Sequence, residues 1–294
     1  MLLSLTNELV MKKLRGYLRI ILTTVRGSII GGVVQKNFLK NKLAVFLYHE
    51  VTDTPSEFSR LFNLYVSPET FQRQIRFLKN NFNIISPEQL LEKKLPPRAA
   101  LITFDDGFKD YFTHAVPVLE QEKVPSIIFL NMAPILEEEI FWPGLITYLM
   151  YKDRSFNGFI RAKIHSVNAK TPLFLLCRKE WANEYLKLSG NNDIHARAGN
   201  FVGNFAGKED LVNAQRCPYV YFGNHLYNHE VPALLSDQEF YSPFEKNENL
   251  LKDYPNYCSL FSLPFGQPET CFNKRHIDLL KGKTKFIFYS SGGL

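Results

Sequence analysis

The stretch AALITFDDGF, residues 99–108, carries the pattern that decides the fold: an apolar run that stops at two adjacent acids and a glycine. The run AALITF has the length and composition of a buried strand. Asp105 and Asp106 therefore stand at a strand end, and Gly107 permits a tight backbone turn directly after them.

The alternation of strand and helix extends from this stretch in both directions. Upstream, LAVFLYHEV (43–51) predicts a buried strand, and Ser67 and Ser86, each followed by proline, predict the starts of two helices. Downstream, residues 108–122 predict a helix. Further strands are predicted at VPSIIFLN (124–131), YVYFGNH (219–225), CSLFSLPFG (258–266) and FIFYSSGG (286–293). This order predicts an α/β protein with parallel strands and outer helices, whose functional groups lie where strands end.

Residues 134–216 interrupt this alternation of strands and helices. The segment FWPGLITYLMYKD (141–153) predicts a helix, and the strand pattern resumes only at YVYFGNH. We interpret 134–216 as a helical insertion that shapes a cleft within a domain of residues 43–294.

The charge of the chain is concentrated at one end. The net charge is +6, and residues 1–42 hold eight Lys or Arg against the single acid Glu8. The remainder is nearly neutral and shows no nucleic-acid-binding module, which argues against a nucleic-acid partner. The 45% of hydrophobic residues is ordinary for a globular protein.

Residues 1–42 predict a basic, amphipathic N-terminal arm. Arg19 and Arg26 interrupt its apolar residues, so no run is long enough for a membrane-spanning helix, and a signal-peptide pattern is missing. One interpretation is a helix on an anionic membrane surface, and the other is a solvated or packed leading helix.

The four cysteines form no C-x-x-C pair and predict buried free thiols. We expect a cytoplasmic or peripheral membrane location.

Two groups of residues could carry chemistry. Asp105 and Asp106 could divide the roles of base and metal ligand, although an aspartate before a helix is often only an N-cap. His225 and His229 are four residues apart, which on a helical turn would place both imidazoles on one face. Asp106 with two histidines suits a catalytic site for one divalent cation, with zinc favoured and cobalt, manganese or nickel as alternatives. Such a cation would lower the pKa of a water molecule, and Asp105 could deprotonate it.

These motifs resemble those of the polysaccharide deacetylase family, the NodB-homology or carbohydrate esterase family 4 proteins. T-F-D-D-G stands at residues 103–107, and the resemblance implies that Asp105 is the catalytic base and Asp106 a metal ligand. The second motif, H-S/T-x-x-H, is met at His225 and His229. The third motif is met at Pro264, Phe265 and Gly266, and His49 resembles a residue near the family's cleft. The implied fold is a distorted (β/α) barrel with fewer than eight strands.

The chain departs from the family at three points. Leu226 replaces the Ser or Thr of the second motif, so a supporting hydrogen bond is expected to be lost. Ser262 replaces the arginine that orients the base in the family. The family's late histidine, its general acid, has no counterpart, and His276 does not match it. Either another group protonates the leaving amine, or the chain is truncated.

The resemblance implies a metal-dependent hydrolase that removes an N-acyl group, with acetyl the favoured one, from an amino sugar of a polysaccharide or lipid-linked glycan. One alternative is a catalytically impaired glycan-binding relative that lacks the general acid. Another is a membrane-surface protein in which the barrel is incidental.

Overall fold

The computed structural model describes residues 43–137, 140–164, 172–190 and 193–290, which form nine β-strands and twelve α-helices. The strands are β1 (Ala44–Tyr48), β2 (Glu50–Val51), β3 (Tyr65–Val66), β4 (Asn83–Ile84), β5 (Ala99–Phe104), β6 (Ser126–Leu130), β7 (Val220–Asn224), β8 (Tyr257–Ser262) and β9 (Phe286–Phe288). The helices are α1 (Glu57–Phe62), α2 (Pro68–Asn81), α3 (Pro87–Leu91), α4 (Val116–Glu122), α5 (Met132–Ile135), α6 (Trp142–Lys152), α7 (Arg154–Lys163), α8 (Lys179–Ser189), α9 (Ile194–Val202), α10 (Lys208–Ala214), α11 (Asp237–Leu251) and α12 (Lys274–Leu279).

Seven strands form one parallel sheet in the order β1-β5-β6-β7-β8-β9, with β4 paired to the start of β5. Strands β2 and β3 form a separate parallel pair. Within the described residues no pairing joins β9 back to β1, so the barrel is open and has fewer strands than the eight of a regular (β/α) barrel. This confirms the predicted α/β fold, a distorted barrel.

The central strands β5 and β6 are buried along their whole length, as expected for parallel strands covered on both faces. Their side chains alternate between two apolar clusters because successive residues of a strand point to opposite faces. Ile102 and Phe104 pack with α2 on one face. Leu101 lies on the other face, in the cluster that includes Leu90 of α3.

Strand β1 is not the buried strand that its apolar sequence predicts. It pairs with β5 on one side only, and Val45 and Leu47 are 44% and 47% exposed. The side chains of β1 are exposed because the strand lies at the margin of the sheet. The hydrophobic pattern of the strand itself holds no information on that position.

The two Ser-Pro helix starts are confirmed. The Ser67 hydroxyl accepts a hydrogen bond from the Thr70 amide at the start of α2, and Ser86 forms a reciprocal capping box with Gln89 at the start of α3. Residues 108–122 are helical over most of their length, with a π-helical stretch at Tyr111–Ala115 that leads into α4.

Between β6 and β7 the described residues are mainly helical, from α5 to α10. Helix α6 confirms the helix predicted at 141–153, and it packs against α9. Several of these helices share an apolar cluster separate from those of the sheet, with Leu149, Phe156 and Ala182 among its members. The division into an N-terminal arm and one domain with an insertion stays a prediction.

Residues 1–42, the predicted basic arm, lie outside the described residues. In the part of the chain that the structure describes, every helix is too short or too polar to cross a lipid bilayer. All four cysteines are free thiols; Cys177, Cys258 and Cys271 are buried and Cys217 is partly buried.

Candidate metal centre

Polar side chains from several strands meet at the carboxyl edge of the sheet. Asp105 and Asp106 follow β5, Asn131 follows β6, His225 follows β7, and Ser262 is the last residue of β8. Because these strands are parallel and adjacent, their carboxyl ends bring the side chains together.

Asp106, His225 and His229 form a compact cluster that could hold a metal ion. The Oδ1 atom of Asp106 lies 3.5 Å from Nε2 of His225 and 3.3 Å from Nε2 of His229. One candidate ligand atom from each residue lies within 4.8 Å of the other two. The cluster is buried, with exposed fractions of 3%, 1% and 6% respectively.

The two histidines are brought together by a loop. The expectation that they share one helical turn is wrong, because residues 225–230 form neither helix nor strand. Leu226 and His229 have φ angles of 69° and 60°, which an α-helix does not contain. The ring centroids of His225 and His229 are nevertheless 4.7 Å apart.

Asn131 anchors this loop to the neighbouring strand. Its side-chain amide donates hydrogen bonds to the carbonyl oxygens of His225, at 2.5 Å, and Leu226, at 2.7 Å. The Leu226 side chain is fully buried in an apolar cluster, so at this position the backbone, rather than a Ser or Thr hydroxyl, supports the loop.

The orientation of His225 is fixed by the main chain of β8. Its Nδ1 lies 2.8 Å from the carbonyl oxygen of Ser262, which can only accept, so Nδ1 donates and carries the proton. The Nε2 of the neutral ring then offers a lone pair on the side of Asp106. This arrangement is typical of histidines that ligate metals.

The electrostatics of the cluster favour a positive charge between these side chains. Burial alone would raise the pKa of Asp106, but His229 and His225 lower it to about 2. Burial alone would lower the pKa of His225, but the charges of Asp105 and Asp106 raise it. Burial lowers the pKa of His229 to about 3, which keeps that ring neutral.

The donor set fits a divalent cation. The Oδ1 atom of Asp106 is buried and has no hydrogen-bond partner among the described residues, although two imidazole nitrogens face it. One carboxylate and two imidazoles are the ligands of catalytic zinc and related first-row metals, which keep further positions open.

Asp105 lies beside this cluster and is oriented differently. Its Oδ2 is 3.8 Å from Nε2 of His225 and accepts a hydrogen bond from the Ser262 hydroxyl at 3.5 Å. Burial raises the pKa of Asp105, and the charges of His225 and His49 oppose that rise. Ser262 thus contacts the aspartate from the position where the family has an arginine.

The other predicted site residues surround these side chains. His49 lies between β1 and β2, directly after Tyr48, whose carbonyl oxygen accepts a hydrogen bond from the Asp105 amide at 3.1 Å. Gly107 has a φ of +100° in the turn after Asp106. Pro264 is buried, the ring of Phe265 lies 4.6 Å from that of His229, and Gly266 has a φ of +63°.

His276 does not belong to the cluster. Its buried ring accepts a hydrogen bond from the Asn273 amide and donates one to the Pro232 carbonyl, so it has a structural role.

Sequence reasoning missed two residues of the site, Asn131 and Phe141. Asn131 ends a predicted strand, so the rule that identified Asp105 and Asp106 could also have found it. Phe141 comes from the predicted insertion and its ring lies 5.3 Å from that of His229, a contact for which the local sequence holds no signal.

The open parallel barrel, with the Asp-His-His cluster at its carboxyl edge, is similar to the NodB, or polysaccharide deacetylase, type of fold. No family model matches the chain. YxkH of Bacillus subtilis strain 168, whose name assigns it to the polysaccharide deacetylases, is 28% identical over 95 residues. That match covers 30% of this chain and only 32% of YxkH.

Solved structures of deacetylases share the fold. The Streptococcus pyogenes deacetylase PplD, in complex with acetate, matches with a TM-score of 0.54 and 15% identity over 86% of each chain. IcaB from Ammonifex degensii matches with a TM-score of 0.52 and 16% identity, covering 84% of this chain and 83% of its own. Together these comparisons confirm that the chain resembles the polysaccharide deacetylases.

Proposed function

We propose that this protein is a metal-dependent carbohydrate deacetylase that hydrolyses an N-acyl amide, with acetyl as the first candidate, on an amino sugar. The observation that carries the proposal is the convergence of Asp106, His225 and His229 within ligand distance of one another, with Asp105 beside them. Similarity to PplD and IcaB supports the same activity, and acetate, present in the PplD complex, is the acid that such a hydrolysis releases.

In this proposal Asp106, His225 and His229 hold the cation. A divalent cation there would polarise the amide carbonyl and lower the pKa of a water molecule. Asp105 is the proton acceptor, because its carboxylate lies beside the three candidate ligands, 3.8 Å from Nε2 of His225, and is not one of them. Phe141 and Phe265 flank His229 and exclude bulk water, which strengthens the electrostatic interactions within the site.

Hydrolysis also requires a proton for the leaving amine. The family's late histidine has no counterpart among the residues of this cluster. Asp105 gains a proton when it accepts one from water, and it can donate that same proton to the amine nitrogen when the C–N bond breaks. The second proton of the water stays on the acyl product, so the balanced products are an amine on the sugar and a carboxylic acid, or an ammonium group and a carboxylate once that proton is transferred.

The first experiment measures amine release from N-acetylated oligosaccharides with and without a chelator. Loss of turnover with the chelator, and recovery on addition of zinc, cobalt, manganese or nickel, is the expected result. Turnover that persists after metal removal would reject the metal-dependent mechanism.

Two substitutions separate the roles of the aspartates. Asp105→Asn is expected to lower kcat by at least about a hundredfold while metal remains bound, because it removes the base and keeps the ligands. Asp106→Ala is expected to lose the metal, since it removes a ligand. Metal content by atomic emission and amine release by colorimetry test both. The exposed Asp253→Asn is the matched control and should resemble the wild type.

A protein that binds the metal and a glycan but hydrolyses no N-acyl sugar would contradict the proposal. That outcome would support a catalytically impaired glycan-binding protein instead.

A further inference from the structure

One face of strand β1 is apolar and exposed. Val45 and Leu47, which point to this face, are 44% and 47% exposed. The alternate residues Phe46 and Tyr48 point to the other face, where they pack against aromatic rings of the α2 region at centroid separations of 5.3 and 5.1 Å. The strand is therefore packed on one face only.

The exposure begins at β1 and is not shared by the next strand. In the parallel register Val45 pairs with Leu101 of β5, and Leu47 pairs with Thr103. Leu101 and Thr103 lie on the same face of the sheet and are only 0% and 2% exposed. The cover over this face of the sheet therefore stops one strand short of its margin.

The free edge of β1 has none of the usual protection against pairing with another chain. Among the described residues β1 pairs only with β5, so the backbone groups along its other edge are open to a further segment. Edge strands are commonly protected by a charged side chain, a proline, a bulge or a covering segment. The sequence AVFLY holds no charge and no proline, and its register with β5 is uninterrupted. A covering segment is the protection that remains.

The sequence directly before β1 contains a segment of matching chemistry. The nine residues GSIIGGVVQ, 27–35, carry no charge and lie between Arg26 and Lys36. Two isoleucines and two valines supply the apolar surface, and such β-branched residues are favoured in strands. These residues, which we call the uncharged run, lie outside the part of the chain that the structure describes.

The uncharged run is long enough, and close enough in sequence, to lie along β1. The eight residues 36–43 connect the run to the strand, and eight extended residues span up to about 26 Å. The five residues of β1 extend over only about 17 Å, so the run can reach every position of the strand. A tether of this length gives a local concentration on the order of millimolar, an advantage that a second copy of the chain or a separate partner does not have.

We propose that the uncharged run, residues 27–35, covers β1 and buries Val45 and Leu47. The contact also supports the strand that lies beside the metal centre, since the Tyr48 carbonyl accepts a hydrogen bond from the Asp105 amide at 3.1 Å. The proposal concerns packing, and its test does not depend on the proposed function.

The test measures how fast N-ethylmaleimide labels the thiol of Leu47→Cys in the full-length chain, with peptide mass spectrometry as the readout. We expect the combined substitution Ile29→Asp and Val33→Asp to raise this rate at least about tenfold, because it opens the apolar cover. The combined substitution Ile21→Asp and Val25→Asp is the matched control, since it changes the same residue types at the same spacing outside the run. The control should leave the rate unchanged.

Two further measurements keep the result independent of a loss of folding. The three buried native cysteines should stay unlabelled in every variant, which shows that the domain is intact. A short bis-maleimide should cross-link Leu47→Cys to Val33→Cys within one chain, and it should not cross-link Leu47→Cys to Val25→Cys.

Phe77→Cys gives the rate of an uncovered thiol, because Phe77 is 61% exposed on α2. Labelling of Leu47→Cys as fast as that of Phe77→Cys, with the rest of the chain unchanged, would overturn the proposal. Equal effects of the two combined substitutions would also overturn it. Protection that depends on protein concentration would assign β1 to a second copy, and protection only with anionic phospholipid vesicles would assign it to a membrane surface. Either result would reject the uncharged run as the cover.

Discussion

Four residues of the site have backbone conformations that L-amino acids seldom adopt. Asp106, Leu226, His229 and Phe265 have φ angles between 60° and 77°. Each such residue costs roughly 1 kcal/mol or more, which the surrounding contacts must offset. Six other non-glycine residues among the described ones also have positive φ angles, and two of them, Asn63 and Lys123, are helix C-caps. The four at the site differ in that they surround the candidate ligand atoms, where neighbouring contacts must hold them.

Gly107 follows one of these residues, and we predict that Gly107→Ala destabilises the protein by about 2 kcal/mol. Its φ is +100°, and an added Cβ would lie 3.1 Å from Ile135 Cδ1 and 3.2 Å from Leu130 Cδ2. Denaturant unfolding measures the change, and metal affinity is expected to fall because Asp106 is the preceding residue. Gly158→Ala is the control. Gly158 lies in α7 with open space around it, so alanine should stabilise that helix by about 0.5–1 kcal/mol. Equal effects at the two glycines would contradict the prediction.

At the scale of elements, a buried polar network connects the histidine loop to α11. Asn247 donates to the Leu130 carbonyl at 2.8 Å and to Asn224 Oδ1 at 2.7 Å, and its own Oδ1 accepts from the Met132 amide at 3.0 Å. Asn224 Oδ1 also accepts from the Leu226 amide. The network therefore joins the ends of β6 and β7 and holds the loop between His225 and His229.

Asn247→Ala should lower the free energy of unfolding by about 2–4 kcal/mol, because it leaves several buried backbone and side-chain groups without partners. Metal affinity should fall at least about tenfold, as for other residues that orient ligands. Thermal unfolding and zinc titration provide the two measurements. Asn249→Ala, the same substitution at an exposed position of α11, is the control. An Asn247→Ala protein with unchanged zinc affinity would show that the network does not position the loop.

At the scale of the whole molecule, Glu50 lies where the β2 region meets the segment between β6 and β7. It is 4% exposed, and a Cβ on Gly203 would lie 3.8 Å from its Oε1. Its Oε2 has no hydrogen-bond partner among the described residues. Burial raises the pKa of Glu50 to about 7, against a weaker opposing effect of Ser59.

The raised pKa predicts a pH-dependent stability. The neutral carboxyl is favoured in the folded state, so its contribution is fully present below pH 4.5 and is lost as the pH rises through about 7. Glu50→Gln should therefore raise the melting temperature at pH 8.5, by the equivalent of about 2–3 kcal/mol, and change it little at pH 4.5. Thermal melts between pH 4.5 and pH 8.5 test whether the substitution raises the melting temperature only at high pH. The exposed Glu120→Gln should show no such trend.

Some features of the site were predictable from the sequence and others were not. The strand ends of β5 and β7, the glycine turn and the donor types of Asp106, His225 and His229 follow from local patterns. The helical turn predicted for the two histidines is wrong, because a spacing of four residues is also compatible with a loop whose geometry is set by Asn131 and the Ser262 carbonyl. The role assigned to Asp105 stays a prediction, which the Asp105→Asn experiment tests, and the roles assigned to His49 and Phe265 also stay predictions.

The sequence by itself determined the parallel alternation of strands and helices, the positions at which the strands end, and the chemistry of the side chains placed there. These features depend on neighbours along the chain, which periodicity reports directly. Only the tertiary structure decided that β1 is half exposed, that the barrel stays open, and that Phe141 and Phe174 from a distant segment reach His229 and Phe265. These contacts depend on strand order and on packing between segments far apart in sequence, and no local pattern records either.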